Sequence, residues 1–378
     1  MNINLFPGLR FHVDQYITHL SLLNNDNKIT LYTSSPKYKL KNIDNYNYRF
    51  IPLPFKILSR ILKINTNPFY KTIDFEIYQY LAMLIKSNKK NDINHCWATF
   101  AYHIFKSNPS SLKILERSCP HIYSQINLLE KAYDKLKIKF KKPSTFSIDR
   151  QILEYEMADF IIVPSLFSKK TFLDNGVNER KIKIVNLNSN SEINYCYKKY
   201  NKDKLIYGFC GGAVIRKGLS QLLNAWFKLP EIKNRELWLR INKQNLNIFN
   251  DINDKIKKRS DIKFINYQTD MSKFYGSLDI LIHPAIEEGF GMVTIEALSA
   301  GVPLIISKFV GAIDIIKKDN FICLEEVDED EIFKYLNLSK PQIFKLSNNV
   351  KKNNIYYKKN MKNENNIKDV YQDIINEK

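Results

Sequence analysis

Apolar positions near the N-terminus follow first a strand pattern and then a helix pattern. The apolar segment Asn2–Phe6 predicts a strand, which Pro7-Gly8 ends. Residues His12–Leu23 carry apolar side chains at helical spacing, and Ile29–Thr33 predicts a second strand. Strand, helix and strand in this order predict a βαβ unit, which is the beginning of a parallel sheet.

The same alternation continues to residue 190. Further strands are predicted at Tyr48–Leu53, Ile93–Trp97, Leu112–Glu116 and Phe160–Pro164, and helices at Ile73–Ile85, Ala98–Lys106, Asn127–Phe140 and Ser147–Ala158. Residues 187–203 are polar and irregular, so we place a domain boundary there. We therefore expect a doubly wound N-terminal domain over residues 1–190.

A second series of elements begins at Lys204. The pattern predicts strands at Leu205–Phe209, Glu236–Ile241, Ile262–Ile265, Ile280–His283 and Pro303–Ser307, and helices at Leu219–Phe227, Ile248–Lys258, Met271–Tyr275 and Val293–Ala300. This series predicts a second α/β domain over residues 204–350. The tail 351–378 is rich in lysine and asparagine, and Ile367–Ile375 keeps helical spacing.

Composition excludes several classes of protein. The chain has 378 residues, of which 44% are hydrophobic, so its bulk is not intrinsically disordered. No apolar run reaches the roughly 18 residues of a membrane-spanning helix, and Met1–Arg10 does not resemble a secretory signal. The five cysteines are far apart and odd in number, which disfavours a disulfide scaffold or a cysteine zinc site. We expect a reducing, cytoplasmic setting.

Positive charge is concentrated in the first half of the chain. The formal net charge is +19. Residues 1–200 carry 30 Lys/Arg against 16 Asp/Glu, a net of +14, and residues 201–378 carry 28 against 23, a net of +5. Abundant Asn, Lys and Ile are also what AT-rich coding sequence produces. Charge alone therefore does not choose among nucleic acid, anionic lipid and phosphorylated small molecules as partners.

The clearest chemical signal is the segment Glu288–Pro303, which follows the predicted strand Ile280–His283. Its sequence is EGFGMVTIEALSAGVP. Two glycines let the backbone approach a ligand, and the helix that follows begins with unpaired N–H groups, which attract phosphate. Glu288 lies in the loop, and Glu296, about one turn into the helix, can accept hydrogen bonds from ribose or sugar hydroxyls.

These residues resemble the retaining GT-B glycosyltransferases of glycosyltransferase family 4, with its group 1 transferase domain. Glu288 and Glu296 stand at the two acidic positions of the E-x7-E signature. The resemblance implies two Rossmann-like domains that face each other across a cleft, with the C-terminal helix crossing back onto the first domain. Segments similar to other elements of the family are Gly211–Gly218, Val310–Ile316 and Tyr155–Ser165.

The resemblance also implies roles for residues of the second domain. Lys217 would contact the donor diphosphate, and Glu296 would hold the donor ribose. Gly212 stands where the family usually has an arginine, and Arg216 is the candidate that compensates. The groups that would face the transferred sugar are the Glu288 carboxylate and the backbone of Gly289, Phe290 and Gly291.

Candidates in the N-terminal half are one glycine and two histidines. Gly8 lies where the family has a glycine loop close to the donor or acceptor. His121 resembles the N-domain histidine that faces the donor sugar, so we expect it to be catalytic together with Glu288. His95 also ends a predicted strand, and both a ligand-binding and a structural role stay open. His283 is expected to pack under the signature.

Lysines alternate with apolar residues over Lys131–Lys142. Two interpretations stay open: a basic segment that contacts anionic lipid or a lipid-phosphate acceptor, and a solvated face in a lysine-rich chain. No recognisable nucleic-acid signature with interleaved aromatic residues is present, so no nucleic-acid partner is expected.

The resemblance implies a retaining hexosyltransferase that moves a sugar from a nucleoside-diphosphate sugar to a hydroxyl of a glycan or lipid-linked acceptor. It implies neither a metal nor a cofactor, because the nucleotide sugar is a substrate. Its frequent setting is the synthesis of cell-surface polysaccharide at the inner face of the membrane, with the enzyme peripherally bound. Three alternatives stay open: a sugar-nucleotide epimerase of the same architecture, a basic nucleic-acid-binding protein, and a transferase domain without catalysis.

Overall fold

The structure is a computed structural model of the chain. The residues that it describes are 2–8, 13, 16, 28–34, 46–51, 53, 68–85, 92–187, 193, 204–212, 214–242, 250–266, 271–360 and 367–377. Of the helix predicted over His12–Leu23, only Val13 and Tyr16 belong to this set, and both are helical and buried. Most of the predicted linker 187–203 lies outside the described residues.

The first domain is built on a sheet of seven parallel strands. These strands are β1 (Asn2–Gly8), β2 (Lys28–Thr33), β3 (Tyr46–Phe50), β4 (Ile93–Trp97), β5 (Leu112–Glu116), β6 (Phe160–Val163) and β7 (Ile182–Ile184). Their order is β3-β2-β1-β4-β5-β6-β7. The strands of a parallel sheet are covered on both faces, and β4 accordingly is buried at every position.

The second domain repeats this arrangement with six parallel strands. These strands are β8 (Leu205–Cys210), β9 (Arg235–Arg240), β10 (Ile262–Phe264), β11 (Ile280–His283), β12 (Leu304–Ser307) and β13 (Phe321–Leu324). Their order is β10-β9-β8-β11-β12-β13. In both sheets the strand order reverses between the first and the fourth strand, which is the position where open α/β sheets bind ligands.

Twelve helices are labelled within the described residues. They are α1 (Pro68–Ile85), α2 (Tyr102–Ser107), α3 (Ile122–Lys135), α4 (Thr145–Met157), α5 (Leu166–Leu173), α6 (Leu219–Phe227), α7 (Asn250–Lys257), α8 (Met271–Ser277), α9 (Met292–Ser299), α10 (Glu329–Leu336), α11 (Lys340–Asn360) and α12 (Ile367–Asn376). Polar side chains cap several of them. Ser144, for example, accepts the backbone N–H of Ser147 at the beginning of α4.

The final helix belongs to the first domain. Ile367, Tyr371 and Ile374 of α12 are buried in the hydrophobic core around the first sheet. The Tyr371 hydroxyl lies 2.5 Å from Nδ1 of His95, and Nε2 of the same histidine lies 3.6 Å from the Glu116 carboxylate. His95 is therefore enclosed by the last helix of the chain rather than presented to a ligand. Its structural role is the one that the contacts support.

Apolar side chains of the basic segment Lys131–Lys142 pack against the cores of both domains. Ala132 is buried in the core of the second domain, and Leu128, Leu129, Tyr133, Leu136 and Ile138 pack against that core. The apolar side chains of the segment thus join the domains and do not form a free apolar face. The six lysines Lys131, Lys135, Lys137, Lys139, Lys141 and Lys142 are all exposed. Among the described helices, none combines the length and the apolar character needed to cross a bilayer.

Candidate functional site

The candidate site lies at the carboxyl ends of β8 and β11, where the strand order of the second sheet reverses. Tyr207 and Gly208 of β8 pair with Ile280 and Leu281 of β11, so the loops that follow the two strands are neighbours. The first loop leads to a 3₁₀ turn, Ile215–Lys217. The fold therefore brings the two candidate segments of the sequence to one edge of the sheet.

Lys217 and Glu288 meet across these two loops. The Lys217 ammonium is in direct contact with Oε2 of Glu288, and both side chains are largely buried. Nη1 of Arg216 lies 3.7 Å from the same carboxylate oxygen, and Nε2 of His283 also lies 3.7 Å from it. The predicted diphosphate ligand and the predicted sugar-facing acid therefore form one cluster of charges.

Burial lowers the basicity of two groups in this cluster, Lys217 and His283. It lowers the pKa of Lys217 to about 7, and the neighbouring Arg216 charge acts in the same direction. Burial, together with the charges of Lys217 and Arg216, also holds the pKa of His283 well below its usual range. His283 is therefore neutral under the signature loop, whereas the charge of Lys217 depends on pH near neutrality.

Glu296 occupies a second position at the same sheet edge. It lies on α9, where the Tyr275 hydroxyl donates a 2.7 Å hydrogen bond to its carboxylate. Nη1 of Arg240, at the end of β9, lies 3.6 Å from Sγ of Cys210, at the end of β8. Burial raises the pKa of the Cys210 thiol, and the Glu296 charge adds to this effect. Sequence analysis did not identify Arg240 as a cation of this edge.

The loop between the two glutamates lies directly against the first domain. A Cβ atom on Gly289 would come within 2.1 Å of the Ser118 carbonyl oxygen, so only glycine fits there. The Ser165 hydroxyl donates a 2.7 Å hydrogen bond to the Gly289 carbonyl. Phe290 is buried, and Gly291 begins α9 with φ at 96° and without a side-chain cap. The backbone of this loop is thus part of the wall between the domains.

His121 lies in the first domain, directly before the first residue of α3. Its Nδ1 accepts the Tyr123 N–H at 3.3 Å, and its ring packs among Tyr123, Tyr155 and Phe172. Burial, with the Arg117 charge, lowers its pKa to about 4, so the ring is neutral. His121 also lines a cavity of about 340 Å³ within the first domain. Its catalytic role stays a prediction.

Gly8 and Gly212 are in different surroundings. Gly8 ends β1, and its carbonyl accepts hydrogen bonds from the Thr33 hydroxyl and the Ser34 N–H, so these contacts tie it to its own domain. Its predicted role in donor binding stays a prediction. Among the residues that the structure describes, a Cβ atom on Gly212 would meet only a Val214 methyl group, at 3.7 Å.

Three side chains that the sequence analysis did not single out connect the candidate site to the first domain. Nε2 of Gln125 donates a 2.7 Å hydrogen bond to Oε1 of Glu287. Arg117 donates to Gln125 at 2.9 Å from Nη2. These residues are separated by up to 170 positions in the chain and belong to no recognised motif, so no signal in the sequence pairs them.

Comparisons with known proteins find similarity to glycosyltransferases. Residues 197–361 match the family model described as Glycosyl transferases group 1. The chain is 27% identical over 174 residues to the capsular polysaccharide biosynthesis glycosyltransferase CapM of Staphylococcus aureus, covering 42% of this chain and 45% of CapM. The chain spans less than half the length of the first curated relatives it matches.

Solved structures show the same fold. The crystal structure of WaaG, a glycosyltransferase involved in lipopolysaccharide biosynthesis, is similar with a TM-score of 0.68 over 99% of both chains, at 13% identity. Anabaena HepE in complex with UDP is similar with a TM-score of 0.64 over 100% of this chain and 99% of that chain, at 14% identity. The predicted architecture, GT-B with two Rossmann-like domains, is confirmed.

Proposed function

We propose that this protein is a retaining glycosyltransferase, which transfers a hexose from a nucleoside-diphosphate sugar to a hydroxyl group of an acceptor. The observation that carries this proposal is the cluster of Lys217, Arg216 and Glu288 at the strand-order reversal of the second sheet. This cluster lies within the residues that match the group 1 transferase model. The HepE complex with UDP, which shares the fold, supports a nucleotide-sugar donor.

The donor is held by charges that are already paired in the free site. Lys217 contacts Glu288, and Arg216 lies 3.4 Å from Oε1 of Glu287. A diphosphate offers more anionic oxygens than either carboxylate and is bound by charge-assisted hydrogen bonds. In our proposal it draws both cations toward itself, and Glu296 accepts hydrogen bonds from the ribose hydroxyls. The backbone of Gly289–Gly291 faces the sugar.

Catalysis rests on stabilisation of the leaving diphosphate. The two cations and the uncapped N-terminus of α9 supply positive potential where negative charge develops, which is worth several kcal/mol in other enzymes. These cations perform the task that a metal ion performs elsewhere, so we propose a metal-independent reaction. The acceptor attacks from the face that the diphosphate leaves, and a leaving-group oxygen takes the acceptor proton. The configuration at the anomeric carbon is retained without a covalent sugar–enzyme intermediate.

The cellular setting is the synthesis of surface polysaccharide on a glycan or lipid-linked acceptor. The similarity to CapM, a capsular polysaccharide biosynthesis glycosyltransferase, supports this part of the proposal. The exposed lysines of the segment Lys131–Lys142 present a positive face to the anionic inner surface of the cytoplasmic membrane. Sedimentation with vesicles that contain phosphatidylglycerol tests this contact, and equal sedimentation with neutral phosphatidylcholine vesicles would contradict it.

A donor screen tests the proposed reaction. Thermal unfolding is measured with UDP-, GDP- and ADP-sugars. We expect the nucleotide sugars of one of these bases to raise the melting temperature of the protein. Lys217→Ala should abolish that shift. With the selected donor and a membrane extract as acceptor source, NMR of the product should show the anomeric configuration of the donor. Epimerisation of the donor without transfer, or an inverted product, would contradict the proposal.

A further inference from the structure

A chain of hydrogen-bonded side chains crosses from the core of the first domain to the candidate site of the second. It begins at Gln151, whose Oε1 accepts from Nη1 of Arg117 at 2.6 Å. Arg117 then donates to Gln125 at 2.9 Å, and Gln125 donates to Glu287 at 2.7 Å. Nη1 of Arg216 completes the chain at 3.4 Å from the same Glu287 oxygen.

The series of hydrogen-bonded side chains compensates charges that are buried. The Glu287 side chain is fully buried, and Arg117 is 7% exposed. A buried charge is costly unless hydrogen bonds and an opposite charge compensate it. Oε2 of Glu287 has no hydrogen-bond partner among the described residues, so compensation depends on the partners of Oε1. One of these partners, Gln125, comes from the other domain.

We propose that Glu287 is a positioning residue, which couples closure of the two domains to the position of the Arg216 guanidinium. Gln125, oriented by Arg117, holds the Glu287 carboxylate. Arg216 donates to this carboxylate at 3.4 Å and to the Glu287 backbone carbonyl at 3.3 Å, which places its guanidinium beside Glu288. This inference rests on the proposed function for the identity of the ligand. When a diphosphate binds Arg216, the Glu287 carboxylate loses that partner and depends on its hydrogen bond from Gln125. This hydrogen bond exists only while the domains are closed. Nucleotide binding and closure therefore favour each other, as linkage requires.

An exchange of the two side chains tests the proposal. Gln125→Glu places two carboxylates at hydrogen-bond distance, so the domains should separate, with a larger radius of gyration in small-angle X-ray scattering and a lower melting temperature. Adding Glu287→Gln restores the hydrogen bond with its direction reversed. The amide now at position 287 can donate to the carboxylate now at position 125, and that carboxylate still accepts the hydrogen bond from Arg117. The double variant should therefore return both quantities to the wild-type values. Gln372→Glu makes the same change on the exposed face of α12 and should alter neither.

Further measurements separate positioning from simple packing. Glu287→Gln alone keeps an acceptor for Gln125 but loses the charge that holds Arg216. We expect it to keep the wild-type radius of gyration and to change the thermal shift produced by UDP-glucose. Gln125→Ala removes the donor without repulsion and should give a smaller separation than Gln125→Glu. Circular dichroism spectra check that each variant is folded.

Specific outcomes would overturn the coupling. If Gln125→Glu has the wild-type scattering curve and melting temperature, or if the double variant resembles Gln125→Glu, the hydrogen bond does not hold the domains together. Suppose that UDP-glucose raises the melting temperature of the wild-type protein. If the same shift is measured for Glu287→Gln, Glu287 does not position Arg216. If no nucleotide sugar shifts any variant while the exchange restores the scattering, the proposed donor fails and the domain contact stands.

Discussion

At the scale of single residues, the free site satisfies its charges internally. Lys217 is paired with Glu288, and Arg216 is shared between Glu287 and Glu288. An isolated buried charge would be costly, so these pairs hold the cations in place. In the proposed function, the same residues also bind the diphosphate of the donor.

Donor affinity should depend on pH through Lys217. Because burial lowers the pKa of Lys217 to about 7, the free site loses this charge as the pH rises above that value. A diphosphate binds the protonated form, so affinity should be highest below pH 7 and fall between pH 7 and 9. UDP-glucose is the suitable probe, since its diphosphate does not titrate in this range. Lys217→Arg, which stays charged, should remove the dependence, and an unchanged dependence in that variant would contradict the assignment.

Gly212→Arg should strengthen donor binding. The family that the second domain resembles usually has an arginine there, and within the described part of the chain the nearest contact of a Cβ atom is Val214 at 3.7 Å. One added charge-assisted contact is worth about 1.5 kcal/mol, or about tenfold in the dissociation constant. Calorimetric titration with UDP-glucose measures it. Asn337→Arg adds the same charge at the exposed end of α10, and an equal gain there would show a nonspecific effect.

The sequence predicted one part of the site and missed another for a physical reason. Lys217 and Glu288 each lie in a glycine-containing loop after a strand, so their position at one sheet edge follows from topology. Glu287 and Gln125 carry no local signal, because their role arises from a contact between domains. The surroundings of His121 also depended on the packing of Tyr155 and Phe172, which no local pattern reveals.

At the scale of elements, strongly apolar segments were predicted well, whereas the largely polar helix α11 (Lys340–Asn360) was not predicted. The helix Leu219–Phe227 and the strands Ile93–Trp97 and Ile280–His283 have the predicted bounds. The edge strands β7 and β13 were not predicted. The helix predicted over Asn127–Phe140 begins instead at Ile122. The His121 side chain caps it there, and Lys137, with φ at 54°, follows its end.

Helix α12 should contribute strongly to the stability of the first domain. Ile374 is fully buried in the core around the first sheet, although it lies near the end of the chain. Ile374→Ala removes buried methyl groups and should lower the free energy of unfolding by about 2–5 kcal/mol. Denaturant unfolding measures the change. Gln372→Ala, on the exposed face, is the control, and a similar small effect of both variants would show that α12 is not part of the core.

At the scale of the whole molecule, the two domains meet through backbone and small polar groups around Gly289 and through the apolar side chains of α3. Gly289 lies against Ser118 and accepts a hydrogen bond from Ser165, and the Asp314 carboxylate accepts the Leu166 N–H at 2.7 Å. This polar part of the interface is accompanied by an apolar part, in which Ala132 of α3 is buried in the core of the second domain. The two-domain architecture follows from the repeated βα pattern, but this contact does not.

Gly289→Ala should prevent full closure of the domains. The added methyl group would lie 2.1 Å from the Ser118 carbonyl oxygen, so the backbones must move apart. We expect a larger radius of gyration and a turnover number that falls more than the affinity for the donor, because the proposed donor ligands Lys217, Arg216 and Glu296 all belong to the second domain and closure adds only the coupling through Glu287. Gly212→Ala, whose methyl group has room, is the control for scattering. A normal turnover number in Gly289→Ala would contradict the role of closure.

The central claim is that one nucleotide sugar binds at the edge formed by Lys217, Glu288 and Glu296. Calorimetric titration of the donor selected by the thermal screen into wild type, Glu296→Ala and Glu288→Ala tests it most directly. We predict that Glu296→Ala weakens binding about tenfold or more, while Glu288→Ala binds the donor but has lost most of its turnover. Identical affinity and turnover in all three proteins would contradict the account.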